Sequence, residues 1–547
     1  MVSTFIMGLT AWDVTTVPCI HALTLCCYEL PISLSRDLVR IVEKMSTIVT
    51  KSNAAIHVLE YLAGLSRLEL TKRFHGDEIK TVFGVCFSYI EYARGKRFDE
   101  SQQRANNRSV NPTARQGSVA SGQRPSTEDI PQYVFAISYH VITFWFLTLR
   151  AEDQKKYLPW MEQRLLSRDQ AGNVENEALV TLDHLWRVAN GRGMDQPSVS
   201  VPSDESTSKT WITEFSMLTV SSQQEEGSEN TAIEVVERRP SGTDFRLLPR
   251  PPGQIAPEQL FTRYELSKAM NGPFKSTAPP LPLAMNDQTK RALNMFDRTS
   301  PVDFFKCGVI YVGENQTQEA EILSNVSGSP DYNILIDGLG TRIHLPSHRG
   351  NVAGLDTSEG AFDGVRTHQH SDGVTTLNYH ITTLMPTNRT HDPLCTRKKS
   401  HIGNDYVNIV FNNSGLVSGF SFHTFPSAFN YVYIVVTPEA RQTFIQTRTR
   451  SKMARWYEDS WFRVQVLTRE DFPDISSAAE TKVVSGEALA SYVRNLALNA
   501  EVFCRVWTNR GSGEYPSSWR SRLQQIRQLR ERVERADKEK EKSEKGE

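Results

Sequence analysis

Apolar residues recur every three or four positions through the first hundred residues of the chain. Leu38, Ile41, Val42, Met45, Ile48 and Val49 fall on one helical face, and Ile56, Leu59 and Leu62 continue after the Ser52-Asn53 start signal. Ile79, Val82, Phe83, Cys86, Phe87 and Ile90 make a third stripe after Gly76-Asp77. Such helices cannot bury their faces singly, so residues 1–98 are predicted to stack as helical pairs, an α-solenoid of the HEAT-like kind. The apolar run from Ile20 to Tyr28 has no polar cap in front of it, which predicts a stack that starts in mid-layer and a chain that is a portion of a longer one.

Residues 99–130 are Gln, Asn, Arg, Ser, Gly and Pro with no aromatic side chain, the composition of a disordered insertion. Helical pattern resumes over 131–190. Tyr133 to Leu149 is a stretch of seventeen uncharged residues, the lower limit for a bilayer span, but Ser138, Tyr139, His140 and Thr143 interrupt it and Arg150, Glu152 and Asp153 abut it. It reads as a buried helix, with His140 a hydrogen-bonded core histidine.

A polar, Pro/Ser-rich linker over 191–208 ends the helical pattern, and beyond it the period drops to two. Trp211 to Val220 and Thr231 to Glu237 read as strands, Pro240-Ser241-Gly242 as a turn, and 249–282 as a Pro-rich stretch. Residues 209–285 are therefore predicted to form a small β-containing subdomain. From 286 to 515 helical and strand patterns alternate, the mark of an α/β domain with helices against a sheet. Its predicted helices are Thr289 to Phe296, Ser329 to Leu339 and Gly486 to Val506, and its predicted strands Cys307 to Val312, Leu377 to Leu384, Tyr406 to Phe411, Phe429 to Val436 and Phe462 to Leu467. Residues 516–547 read as a basic amphipathic helix and a charged tail: Trp519, Leu523, Ile526, Leu529 and Val533 share a face, with six arginines between 520 and 535. The helix is expected to pack on the domain, an acidic membrane surface or a calmodulin-type partner being the alternatives. The fold class is multidomain, α plus α/β.

Composition narrows the function. Over 547 residues, 62 Lys+Arg balance 63 Asp+Glu, so no global field favours nucleic acid, and any basic site is local. Seven cysteines, an odd number without framework spacing, fit a reducing compartment. The first residues lack a basic n-region and carry Asp13, unlike a signal peptide. Gly-x-Ser-x-Gly, Gly-x-Gly-x-x-Gly and Gly-x₄-Gly-Lys-Ser/Thr are all absent, which removes the anchors of serine-hydrolase, dinucleotide and nucleotide-triphosphatase readings. His368, His370, His380, His391, Cys395 and His401 lie close in sequence, but their spacings match no compact tetrahedral zinc pattern, and no metal is expected.

The local site is Lys398-Lys399-Ser400-His401-Ile402-Gly403-Asn404-Asp405, directly ahead of the strand pattern Tyr406 to Phe411. Its His401-Ile402-Gly403-Asn404-Asp405 part reads as a tight polar turn at the mouth of a strand, where Gly403 lets the backbone turn at a point where a Cβ would clash and Asn404 and Asp405 tolerate the geometry. A Gly-Asn-Asp turn is ordinary by itself. Its chemistry lies in the carboxamide, one acceptor and two donors on a single group.

This stretch resembles the signature of the Rap-type GTPase-activating domain family, in the form the domain takes in the tuberin family. Leu384-Met385-Pro386, Phe429 to Pro438, Lys306 to Glu314 and Tyr515-Pro516-Ser517-Ser518-Trp519 resemble the same domain, so that the resemblance covers most of residues 290–535. It implies a GTPase activator, not an enzyme acting alone, with Asn404 as the catalytic carboxamide, the asparagine thumb. It further implies that His401, Gly403, Asp405, Lys398 and Lys399 support or face the GTPase, that Arg450 in the basic segment Thr447 to Lys452 joins them, and that His380 is structural. Ser400 stands where the family carries a basic residue, and His368 and His370 where aromatic residues are usual.

The implied partner is a Rheb-like or Rap-like small GTPase, which brings its own GTP and Mg, so no cofactor is expected in the chain. A hamartin-like subunit on the helical region, cytoplasmic location and negative regulation of TOR signalling follow by the same resemblance. A homodimer and peripheral association with a lysosomal or vacuolar membrane surface stay open, as does a catalytically idle scaffold that binds a GTPase or a hamartin-like subunit without stimulating hydrolysis.

Overall fold

The computed structural model describes the chain apart from residues 11–12, 49–51, 69, 72–73, 75, 111–130, 168–173, 192–207, 225–230, 250–278, 417–418, 440–454, 511–514 and 546–547. Helices α1 (Val2–Gly8), α2 (Asp13–Glu29), α3 (Pro31–Leu34), α4 (Leu38–Ser46), α5 (Ser52–Ser66), α6 (Asp77–Val110) and α7 (Pro131–Leu147) open it. Then come α8 (Ala151–Leu165), α9 (Asn176–Ala189), β1 (Ser208–Ile212), β2 (Met217–Gln224), β3 (Thr231–Arg239), β4 (Gly242–Pro249), β5 (Leu281–Leu283) and α10 (Asp287–Arg298). Next are β6 (Asp303–Val312), α11 (Glu319–Leu323), α12 (Pro330–Leu339), β7 (Thr341–His344), β8 (Arg366–Ser371), β9 (Thr375–Ile381), α13 (Thr396–Ile402) and β10 (Val407–Asn412). The last are β11 (Val432–Pro438), β12 (Trp461–Thr468), β13 (Lys482–Ser485), α14 (Gly486–Thr508) and α15 (Ser518–Lys545).

The chain divides into two compact units, one of residues 1–148 and 304–515, the other of residues 149–303 and 516–547. In the first, α7 packs on α5 and α6, and α2 on α5. Tyr133 and Trp145 of α7 are fully buried, and the Trp145 indole donates to the Leu62 carbonyl at 2.9 Å. The uncharged stretch is thus a buried helix. Among the described residues no helix is long and apolar enough to cross a membrane. Helix α6 runs on to Val110, into the stretch predicted to be disordered, because nothing in residues 99–110 breaks a helix already nucleated upstream; residues 111–130 lie outside the described part.

The eight-stranded sheet of this unit has the order β13-β12-β11-β10-β6-β9-β8-β7. β10 lies parallel to both β6 and β11, with Val407 opposite Cys307 and Val432, and is buried along its whole length. Val, Ile and Phe fill it, as a strand covered on both faces requires. Asn408 and the terminal Asn412 are the polar exceptions, and the partner of Asn408 across the ladder is Gly308, where a Cβ would collide with the Asn408 side chain. Helix α14, capped by the Ser485 hydroxyl, packs across β10 to β13.

The second unit holds the antiparallel sheet β4-β3-β2-β1-β5 with α8, α9, α10 and α15. The predicted strand Trp211 to Val220 is a hairpin instead: the Thr213 hydroxyl accepts from the amides of Phe215 and Ser216 and turns the chain. With neither Gly nor Pro in that turn, the sequence carries no usual break signal. β5 contains Pro282, tolerated because β5 is an edge strand.

Two predicted boundaries move. Residues 131–190 are not one helical block, since α7 belongs to the first unit and α8 and α9 to the second; α10 and α15 join the second unit as well. Three of the six arginines of α15, Arg520, Arg522 and Arg530, turn inward rather than onto an outward basic face. Arg522 is buried and donates to the carbonyls of Arg239, Pro240, Phe296 and Thr299, and the buried Arg530 donates to the carbonyl of Ile212. These guanidinium groups satisfy loop and helix-end carbonyls that would otherwise be orphaned.

Candidate functional site

Residues 396–402 form a helix, α13, which takes in the first two residues of the predicted His401–Asp405 turn, and the chain turns at Gly403-Asn404. Its start is held by Asp392, whose two carboxylate oxygens accept from the amides of Thr396 and Arg397, and Cys395 enters it with a left-handed φ of 50°. Gly403 ends it at φ −71°, a conformation open to any residue. Its requirement is space: a Cβ would lie 2.7 Å from the Lys399 carbonyl oxygen.

Asn404 and Asp405 then make a two-residue step into β10. Asn404 is exposed, and its Nδ2 donates to the Ser400 carbonyl at 2.6 Å. Asp405 is fully buried; it accepts from His380 Nδ1 at 2.8 Å and lies 3.6 Å from Lys306 Nζ. Adjacent residues thus point opposite ways, and the buried carboxylate anchors the exposed carboxamide. His380 is itself buried.

Two side chains that the sequence reading left aside hold the step from the next loop. The Nδ2 of buried Asn430 donates to the carbonyls of Ile402 at 2.8 Å and Asp405 at 2.6 Å, and Ser427 Oγ donates to the Gly403 carbonyl at 2.5 Å. The signal for Asn430 was its place beside the Tyr431 to Val436 strand pattern, where a buried polar residue needs a backbone to satisfy. Asn430→Ala should lower stability by roughly 2–3 kcal/mol, because two buried carbonyls lose their donor. Faster hydrogen exchange at the amides of residues 403–405, read with a urea melt, would show the step loosening; unchanged exchange would mean that Asn430 does not hold it.

His401 is half-buried, with Nε2 3.0 Å from Asp363 Oδ1, and its ring lies 5.1 Å from that of His380. Burial, reinforced by the neighbouring His380, lowers the His401 pKa against the pull of Asp363. The Asp363 carboxylate also accepts from Arg397 Nε at 2.7 Å. Asp363 carried no sequence signal, sitting in a loop remote from α13.

The remaining predicted residues separate. Lys398 is 2% exposed and donates to the Asn325 carbonyl at 3.1 Å, and burial draws its pKa down to about 8. It faces inward, correcting the expectation that it meets a partner. Lys399, half-exposed, pairs with Glu319 at 2.8 Å. Arg450 lies outside the described residues. Among the described residues no three His, Cys, Asp or Glu side chains converge as a metal site requires; His368 pairs instead with Asp337 at 3.0 Å.

Beneath the step, buried Glu501 has its pKa pushed up to about 8, by burial first, with Asp405 adding to it and Arg505 and Lys306 opposing. Since the folded value lies above that of the unfolded chain, stability from this group is full below about pH 4.3 and declines as pH rises towards 8. Glu501→Gln, which keeps shape and loses charge, should therefore melt higher than the natural chain at pH 8.5 and close to it at pH 4.5. Equal melting temperatures at pH 8.5 would contradict this.

Comparison with known proteins bears on the whole chain. A family model described as Rap/ran-GAP matches residues 322–528, and one described as Tuberin matches residues 1–100. The tuberous sclerosis 2 protein homolog of Schizosaccharomyces pombe is 33% identical over 547 residues, covering 96% of this chain and 38% of that relative. The human Ral GTPase-activating protein subunit alpha-1 is 27% identical over 218 residues, 40% of this chain and 10% of its own length. A solved structure of the TSC2 GAP domain is 48% identical, covers 38% of this chain and 100% of its own, and superposes with a TM-score of 0.33. The chain spans well under half the length of these full-length relatives.

Proposed function

The chain is a tuberin relative that carries a Rap/ran-GAP domain, and from that premise we propose that it stimulates GTP hydrolysis by a Rheb-like small GTPase, Asn404 supplying a carboxamide in trans. The observation that carries this reading is the exposed Asn404 carboxamide on a step braced from below by Asp405 and from the side by Asn430 and Ser427.

Hydrolysis on a small GTPase is limited by positioning of the attacking water and stabilisation of charge on the phosphates, so a fixed dipole brought to the γ-phosphate suffices. The carboxamide accepts from the water with Oδ1 and donates to the phosphate with Nδ2. In the free protein Nδ2 is already bonded to the Ser400 carbonyl, so that bond has to be given up or shared on docking. Apolar side chains flank the step: Leu394 precedes α13, Phe362 lies under Arg397, and Phe429 follows Ser427, each more than half exposed. Exposed large apolar groups beside a polar centre are the usual core of a protein interface.

On the same premise GTP and Mg come with the GTPase, the helical region, read as HEAT-like pairs, offers a surface to a hamartin-like subunit, and the setting is the cytoplasm, in control of TOR signalling. The engagement of Nδ2 by Ser400 favours one rival, a scaffold that binds a GTPase without speeding hydrolysis. Single-turnover GTP hydrolysis over a panel of Rheb-like, Rap-like and Ral-like GTPases, scored beside binding to the same proteins, separates the two. Stimulation of at least one GTPase is expected. Binding without stimulation across the panel would leave the scaffold.

A further inference from the structure

A cavity of about 230 Å³ opens in the first unit, away from Asn404, among α2, α5, α7, α14 and the turn after β8. Its walls carry two guanidinium groups, Arg67 and Arg494, one carboxylate, Asp372, and the apolar side chains of Phe144, Leu147 and Leu498.

Arg67 and Asp372 pair in charge, yet each keeps one buried atom without a hydrogen bond. Arg67 donates to Asn495 Oδ1 at 2.8 Å and lies 4.5 Å over the Phe144 ring, while its buried Nε has no hydrogen-bond partner among the described residues. Asp372 uses Oδ1 to accept from the amides of Val374 and Thr375, at 3.1 and 2.7 Å, and its buried Oδ2 has no partner either. These two atoms face each other as an ion pair at 3.8 Å, too far for a hydrogen bond between them. Arg494 is anchored by the carbonyls of Gly338 and Leu339 at the end of α12. His370, also in the wall, is kept neutral at physiological pH: burial, then Arg494 and Arg67, take its pKa down to about 4.

Desolvated donors and acceptors without partners ask for a polar occupant. A plain anion would suit the guanidinium groups but leave Asp372 Oδ2 without a donor, and a plain cation would meet two guanidinium groups. An uncharged apolar molecule would leave Arg67 Nε and Asp372 Oδ2 as they are. We propose that the cavity is a binding site for a small zwitterion of the α-amino-acid class, its carboxylate on the Arg67 and Arg494 side, its ammonium on Asp372, and its side chain along Phe144, Leu147 and Leu498. The volume equals that of roughly eight waters at about 30 Å³ each, room for a molecule of that size.

The test is isothermal titration of the full 547-residue chain with each of the twenty common amino acids, with acetate and with inorganic phosphate, followed by the N-acetyl and methyl-ester forms of any amino acid that binds. At least one amino acid is expected to bind saturably, with each blocked form weaker by about tenfold or more, since each leaves one buried polar atom without its hydrogen bond. Asp372→Asn should weaken binding by a similar factor. The proposal is overturned if no amino acid binds saturably, if acetate or phosphate binds as tightly as the best amino acid, or if the blocked forms match their parent. The blocked-form comparison uses the natural chain, so a poorly folding variant does not remove the test.

Discussion

Asn404→Ala is expected to cut stimulated single-turnover GTP hydrolysis roughly 10²–10³-fold, the usual effect of removing one preorganised polar group from a developing-charge site. Stability should stay within about 0.5 kcal/mol of the natural chain, because the side chain is exposed and its one hydrogen bond, to the Ser400 carbonyl, is replaceable by water. The step itself keeps its anchors, since Asn430, Ser427 and His380 hold backbone atoms and the Asp405 carboxylate rather than the Asn404 side chain. Binding of the GTPase should therefore change far less than turnover. Asn404→Asp, equal in shape, loses both donors and brings a negative charge towards the phosphates, so it should fall at least as far. Stimulation by Asn404→Ala within about threefold of the natural chain would remove the carboxamide mechanism.

The largest loss of stability is expected from Arg239→Met, roughly 3–5 kcal/mol. Arg239 is buried among two carboxylates. Its Nε donates to Asp183 Oδ1 at 2.6 Å and its NH1 to Glu237 Oε1 at 2.9 Å, both acids being nearly inaccessible to water. Methionine fills the space and takes the shared countercharge away from both acids. Burial alone would raise the Asp183 pKa, but Arg239 outweighs it, with the amide and hydroxyl of Ser241, and holds the carboxyl below its ordinary range.

The sign of the pH dependence follows. A depressed carboxyl contributes stability above its unfolded value, near 3.9, and loses it as pH falls through the folded value. Without Arg239 burial acts unopposed by that charge, the carboxyl shifts upward, and protonation relieves the variant. The deficit should be greatest near pH 7 and smaller at pH 4, as read from urea midpoints. A loss under about 1 kcal/mol at pH 7 would show that the ion cluster is dispensable.

How far the site was legible differs from residue to residue. The strand after Asn404 was plain because Val407, Ile409, Val410 and Phe411 have the composition of a strand with both faces covered. The helix before it was not. Thr396 to Ile402 is a short polar run whose helical state comes from Asp392 capping two amides and from Ile402 packing into the apolar cluster with Val410 and Tyr433. Lys398 and Lys399 look alike in sequence, yet one satisfies a buried carbonyl and the other pairs at the surface. Asn430, Ser427 and Asp363 reach the site from other loops, and no spacing along the chain marks them.

The same division runs through the whole protein. Local chemistry, carried in the order of residues, determined where helices begin, which strands are buried and where a carboxamide stands at a strand mouth; Ser485 and Asn286 caps and the apolar run of β10 act within a few positions of themselves. Which charged side chains turn inward was decided only in three dimensions. Arg522 finds carbonyls more than 220 residues away, and Asp405 is buried because His380 and Lys306 meet it there. A charge leaves water only where distant parts of the chain supply its partners, and those partners exist only once the chain has folded.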